Sequence, residues 1–129
     1  MNETKLKKDV CFALEELGFH TTIHEHKREG IHGTPDVSYG RDNINGWIEF
    51  KWGLNAELRV SQRIWLDKRS LTGGHCFVLW GTSGWVFLIP WVPFTRLSRL
   101  TTNALAGVSH QRWDIKGDYW EELADALLT

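Results

Sequence analysis

The sequence predicts an α/β domain in which a mixed β-sheet is flanked by helices. Three observations carry that prediction. An apolar stripe at helical spacing near the N-terminus gives way to three strand-like runs, then to a second helical stretch and a further strand pattern. The third run, Gly46-Trp-Ile-Glu-Phe-Lys-Trp52, sets an acid and a lysine two apart inside an otherwise apolar strand. With 129 residues, 42% of them hydrophobic and 24% charged, the chain reads as one domain, 1–129, with a core at about 3–91 and an extension at 92–129.

Each element has a local reason. Residues 3–17 predict a helix because Leu6, Val10, Leu14 and Leu17 fall at helical spacing, and Gly18 stops it. Phe19 to His24 is β-branched and aromatic, a strand. Residues 25–34 are polar and run into Gly33-Thr-Pro35, a loop. Asp36 to Tyr39 and Trp47 to Trp52 read as a hairpin, with the Asn45-Gly46 dipeptide as its turn signal. Ser61 is a good N-cap for a helix to about Leu71, ended by Gly73-Gly74. His75 to Trp80 and Trp85 to Trp91 form a second hairpin around Gly81-Thr-Ser-Gly84. Residues 94–113 show no clear period and read as short helical turns and loop. Asp118 caps a last helix, Tyr119 to Leu128, with Trp120, Leu123, Ala124 and Leu127 on one face, so the extension is a helical addition.

Composition narrows the function classes. Cys11 and Cys76 sit in apolar runs and suggest small core residues rather than a disulfide framework or a metal knuckle. A reducing, cytoplasmic setting follows, with no apolar leader in the polar Met-Asn-Glu-Thr-Lys start. The apolar stretch from Trp85 to Trp91 is too short to span a bilayer. A net charge of −1 argues against blanket nucleic-acid affinity, yet residues 51–100 carry seven Lys/Arg against two acids, while 114–129 carry five acids against one lysine. A one-sided phosphate-binding face is compatible with that split.

Strand side chains alternate, so Glu49 and Lys51 share one face while Ile48, Phe50 and Trp52 share the other. A carboxylate and an ammonium in an apolar strand are costly without a partner or ligand. Asp36 opens the preceding strand, and hairpin pairing brings it toward Glu49. Two carboxylates and a backbone carbonyl, that of Phe50, suit a hard cation such as Mg2+ or Mn2+, which takes oxygen ligands and keeps several waters. Lys51 is then placed to stabilise charge developing on a phosphate. The plain alternative is a Glu–Lys pair on an exposed sheet.

Gly33-Thr-Pro-Asp-Val37, Trp47-Ile-Glu-Phe-Lys51 and Ser61-Gln62-Arg-Ile-Trp65 together resemble the PD-(D/E)XK nuclease superfamily. Within it, the chain looks most like the VRR-NUC type and the archaeal-type Holliday-junction resolvases, a group often found in phages. The resemblance covers roughly residues 3–90 and implies a restriction-endonuclease-like fold with an α-β-β-β-α-β core. It implies Asp36 and Glu49 as metal ligands, Lys51 as the catalytic lysine and Gln62 as an active-site residue on the following helix. Gln62 offers both a donor and an acceptor to a water or phosphate oxygen. The family also adds an acid from the first helix, for which Glu3 fits the helical stripe best and Asp9 is the alternative.

His20, His24, His26 and His32 form a rival set that could hold Zn2+, although their spacing matches no closed zinc pattern. For DNA phosphates, Lys5, Lys7, Lys8, Arg59, Lys68 and Arg69 are available, and Lys27, Arg28, His32 and Arg63 are favoured by their neighbours in sequence. The expectation is a metal-dependent endonuclease that hydrolyses DNA phosphodiester bonds in branched DNA and leaves a 5′-phosphate. A homodimer, with Trp85, Trp91 and Trp113 as interface candidates, would match two symmetric cuts. The alternatives are a nicking or restriction-like endonuclease on duplex DNA, a non-catalytic DNA-binding module on the same fold, and a zinc-bound structural protein.

Overall fold

The computed structural model describes residues 1–24 and 33–129. His26, Lys27, Arg28 and His32 lie outside the described residues. The first helix, α1 (Glu3–Glu16), begins where the Asn2 side chain accepts the Lys5 N–H at 2.8 Å, and it buries Leu6, Val10 and Leu14. Six strands follow in one sheet, ordered as in the sequence: β1 (His20–Ile23), β2 (Val37–Arg41), β3 (Ile44–Trp52), β4 (His75–Gly81), β5 (Trp85–Pro90) and β6 (Gln111–Asp114). The β3–β4 pair is parallel and its neighbours are antiparallel. The helix α2 (Val60–Leu71) supplies the crossover that a parallel pair requires. Two short helices, α3 (Thr102–Ala106) and α4 (Trp120–Leu127), flank β6 in the chain.

The sheet separates two cores. On one face, Leu6, Val10 and Leu14 of α1 and Leu123 and Leu127 of α4 pack with Ile48, Phe50, Leu79 and Leu88. On the other, Leu58, Leu66, Leu97 and Leu100 pack with Val78, Trp80, Phe87 and Ile89. Each fully buried side chain of this kind contributes about 1.5–3 kcal/mol. The β3 strand is shared between them. Ile48 and Phe50 join the first core, so Trp47, Glu49 and Lys51 face the α2 side.

Several local features differ from the sequence expectation. The β2–β3 turn is Asp42-Asn43, with φ of 53° and 65°, and not Asn45-Gly46. Asp and Asn tolerate this left-handed region, and a two-residue hairpin turn of type I′ needs it at both positions. Gly46 instead lies in β3 opposite Tyr39, where an added Cβ would come within 2.3 Å of the tyrosine ring. The Tyr39 hydroxyl then donates to the Leu127 carbonyl at 2.6 Å, tying β2 to the end of α4. The N-cap of α2 is Arg59, not Ser61, because the Gln62 side chain reaches back to accept the Arg59 N–H at 2.8 Å.

The extension is not purely helical, since β6 adds an edge strand to the sheet. Tyr119, not Asp118, occupies the N-cap of α4. Trp91 is only 3% exposed and its Nε1 donates to Asp67 at 2.8 Å, which removes it from any interface set. Trp113 is half-buried, with its Nε1 donating to Glu122 at 2.7 Å. Cys11 and Cys76 are free and buried, as expected. Among the described residues no helix is long and apolar enough to cross a membrane.

Candidate active site

The start of β2, the middle of β3, the first turn of α2 and the start of α1 meet at one place. Asp36 stands one residue before β2, and its carboxylate accepts the Phe50 N–H at 2.8 Å. Its own carbonyl accepts the His24 N–H at 2.7 Å, so backbone on both sides fixes the residue. Gly33 explains how the preceding segment gets there. It has φ of +83°, and a Cβ on it would lie 2.1 Å from the Ser61 carbonyl oxygen. The Gly-Thr-Pro-Asp segment is therefore laid directly on the first turn of α2, a close approach that only glycine permits.

Glu49 is 2% exposed. One carboxyl oxygen accepts from Gln62 Nε2 at 3.1 Å, and the other is buried with no hydrogen-bond partner. Burial first, and then the Asp36 charge, push its pKa up to about 9 against the opposing charge of Lys51. Gln62 is itself held at both ends, accepting from Arg59 N–H and donating to Glu49. An uncompensated buried oxygen of this kind costs about 1–3 kcal/mol, or more when charged. Such an atom calls for a ligand.

Glu3 joins the group electrostatically. Burial and the Asp36 charge raise its pKa, while Lys7 and Lys51 oppose the rise. Asp9, the alternative first-helix acid, pairs instead with Lys5 at 2.6 Å. Lys7 is a site residue that sequence reasoning placed only among the possible phosphate contacts. Its Nζ lies 3.6 Å from Asp36, and the signal was its position four residues after Glu3, on the same helix face.

The structure thus brings Asp36, Glu49, Gln62, Phe50 and Glu3 together, with Lys51 within electrostatic reach of both Glu3 and Glu49. Arg63 follows Gln62 on α2 and has a buried Nε without a partner. Arg69 does not lie free for DNA, because its guanidinium covers the rings of Trp47 and Trp65 at 5.4 and 5.0 Å. His24 bonds Ser38 at 2.9 Å and stacks by Trp47 at 5.3 Å, while His20 is exposed on β1. Among the described residues no three His, Cys, Asp or Glu side chains are gathered as a ready-made metal cage. Two carboxylates with a carbonyl nevertheless fit a cation that retains much of its own water. The Phe50 carbonyl leaves β3 on the same edge as its N–H, which is the edge Asp36 occupies. The unpaired, buried oxygen of Glu49 completes a hard, anionic donor set.

No family model matches the chain, and no curated protein sequence matches it. Among solved structures it is similar to a Holliday junction resolvase, Hjc, from the archaeal hyperthermophile Archaeoglobus fulgidus. The TM-score is 0.64 at 13% sequence identity, over 96% of this chain and 98% of that one. The fold is restriction-endonuclease-like. At this identity the likeness concerns the fold, a mixed six-stranded sheet flanked by helices.

Proposed function

We propose that this chain is a metal-dependent nuclease of the PD-(D/E)XK type that hydrolyses phosphodiester bonds in branched DNA. The observation that carries this is Glu49: a nearly fully buried acid with one unpaired oxygen, beside Asp36 and on the same strand face as Lys51. Without a cation the site is an energetic liability, and with one both carboxylates gain a partner. The fold shared with a protein described as a Holliday junction resolvase supports branched DNA as the substrate class. The three motifs and their spacing support the VRR-NUC-like reading.

Asp36, Glu49 and the Phe50 carbonyl would hold Mg2+ or Mn2+, with Glu3 as a further candidate ligand. A divalent cation there supplies positive charge beside the phosphate and makes water more acidic. The chain's own groups do the rest. Lys51 projects from the strand beside Glu49 and stabilises the negative charge that develops on the phosphate oxygens. Gln62 holds Glu49 in place from behind through its 3.1 Å hydrogen bond. Lys7, which neutralises Asp36 at 3.6 Å, is placed to turn to a phosphate once Asp36 has another cation. Arg63, whose buried Nε has no partner, is proposed to meet a neighbouring phosphate, with Lys27, Arg28 and His32 as further proposed contacts. In the net reaction a water oxygen bonds to phosphorus, the bond to the 3′ oxygen breaks, that oxygen takes a water proton and leaves as a 3′-hydroxyl, and a 5′-phosphate remains.

Lys51→Ala tests this reading. Wild-type and variant protein are given a four-way junction, a flap, a single strand and a duplex in Mg2+ or Mn2+. The proposal expects metal-dependent cleavage of branched DNA by the wild type, and a variant that still binds the junction but cuts it at least about a hundredfold more slowly. Binding without any metal-dependent cleavage by the wild type would instead identify a non-catalytic DNA-binding module. Preference for a duplex sequence over the junction would indicate a restriction-like enzyme.

A further inference from the structure

At the end of the sheet where β3 finishes and β4 turns into β5 lies a cavity of about 1100 Å3 that the site described above does not use. Trp52, Leu54, Trp85, Phe87, His110 and Arg112 are among its lining residues. Its aromatic surfaces are already paired with cationic or titratable ones. The Arg112 guanidinium lies 4.7 Å from the centre of the Trp85 ring, and the His110 ring lies 5.9 Å from that of Phe87. Trp85 is 42% exposed and Leu54 is 65% exposed. Although the chain carries 16 acids, none of the described residues lining the cavity is acidic. Flat apolar rings with positive charge and no negative charge match an anionic ligand that has aromatic faces of its own.

Strand register ties the cavity to the site. Lys51 pairs with Trp80, Trp80 with Phe87, and Phe87 with Arg112. Directly paired residues present their side chains on one face, so these four form a single row across the sheet. Three strand spacings of about 4.8 Å place Arg112 about 14 Å from Lys51. In duplex a strand advances about 3.4 Å per nucleotide, so that distance spans about four stacked nucleotides and fewer of a more extended unpaired strand. Trp80 and Phe87 in the middle of the row are buried in the second core, so the row gives the separation of Lys51 from the cavity and not the course of a strand.

We propose that this cavity is a subsite for unpaired nucleotides of the DNA substrate, with bases stacking against the Trp85–Arg112 pair and phosphates meeting Arg112 and His110. The proposal rests on the nuclease reading for its substrate class. Its volume is at or above the roughly 300–1,000 Å3 of ordinary ligand pockets, enough for more than a single ring. A strand peeled from a branch point supplies such bases, whereas fully paired duplex keeps its bases stacked on one another.

The test is fluorescence anisotropy in EDTA, where no cleavage occurs, with a fully paired duplex and the same duplex carrying a single-stranded oligo-dT tail. Trp85→Ala is expected to weaken binding of the tailed DNA about tenfold and to leave the paired duplex nearly unaffected. Trp85→Phe, which keeps a ring, should largely restore binding. Arg112→Gln should weaken tailed binding and reduce its salt dependence by about one counterion. Equal losses on both DNAs, or no loss on either, would overturn the proposal. So would sedimentation showing that Trp85→Ala splits a dimer, since a second copy would then cover the cavity. If Trp85→Ala fails to fold by circular dichroism, an unchanged salt slope in Arg112→Gln overturns the proposal by itself. The two readings fail separately. Normal cleavage with unaltered tail binding in the variants removes the subsite alone, and tail-specific binding without metal-dependent cleavage removes the nuclease alone.

Discussion

Replacing Glu49 with glutamine should make the metal-free protein more stable above pH 5, by an amount that grows with pH. The side chain is 2% exposed, and its folded-state pKa is about 9 against an ordinary 4.5. Between those values the unfolded chain has released the proton while the folded chain still holds it, so wild-type stability falls as pH rises. Each pH unit in that window is worth about 1.4 kcal/mol. The buried, acid-flanked setting of Glu49 therefore costs the metal-free wild type roughly 3 kcal/mol by pH 7, and below pH 4.5 it costs almost nothing. Glutamine has the same shape, never ionises, and can accept the Gln62 hydrogen bond through its own carbonyl oxygen. Urea unfolding in EDTA at pH 5, 6, 7 and 8 measures the effect. With slopes of about 1–3 kcal/mol/M, the variant's midpoint at pH 7 should exceed the wild type's by roughly 1–3 M. The difference between the two proteins should narrow toward pH 5, because every other titrating group is common to both. Parallel stability curves, separated by a constant amount at all four pH values, would refute the account of Glu49.

Three further outcomes follow from the same geometry. Calorimetric titration with Mg2+ should show proton release on binding, and affinity should rise about tenfold per pH unit between pH 6 and 8, since the cation must displace the proton on Glu49. Gly33→Ala should destabilise the fold by about 2 kcal/mol or more and abolish cleavage, because the new Cβ meets the Ser61 carbonyl at 2.1 Å and the residue has φ of +83°. Chemical denaturation and a cleavage assay check both parts. Tyr39→Phe should lower stability by about 1–3 kcal/mol, as it leaves the Leu127 carbonyl without the 2.6 Å donor that links β2 to α4; unchanged denaturation would show that the link is dispensable.

What was legible in the sequence depended on how local its cause was. The strand alternation around Glu49 and Lys51 and the helical stripe of Leu6, Val10 and Leu14 are short-range patterns, and the structure reproduces them. Asp36 was legible as a residue entering its strand next to Glu49, because hairpin pairing follows from chain order. The exact turn was not. Asn45-Gly46 is the stronger turn signal, but Tyr39 needs the space above Gly46, so the reversal falls on Asp42-Asn43. Ser61 looked like a cap because sequence cannot show that Gln62 reaches back to Arg59. Trp91 follows a proline and looked exposed, yet Asp67 of α2 receives its N–H and the segment carrying Leu97 and Leu100 packs with it in one core. The edge strand β6 escaped notice because Gln111 to Asp114 is mostly exposed and pairs on one side. The Lys7–Asp36 approach joins residues far apart in sequence, and only the folded chain displays it.

The most direct test of the account is cleavage of an end-labelled four-way junction in Mg2+ by wild-type protein and Glu49→Gln side by side, with junction binding measured for both in EDTA. The account predicts that both proteins fold and bind, that the wild type cuts, and that the glutamine variant does not. Equal cleavage by the two proteins would contradict it.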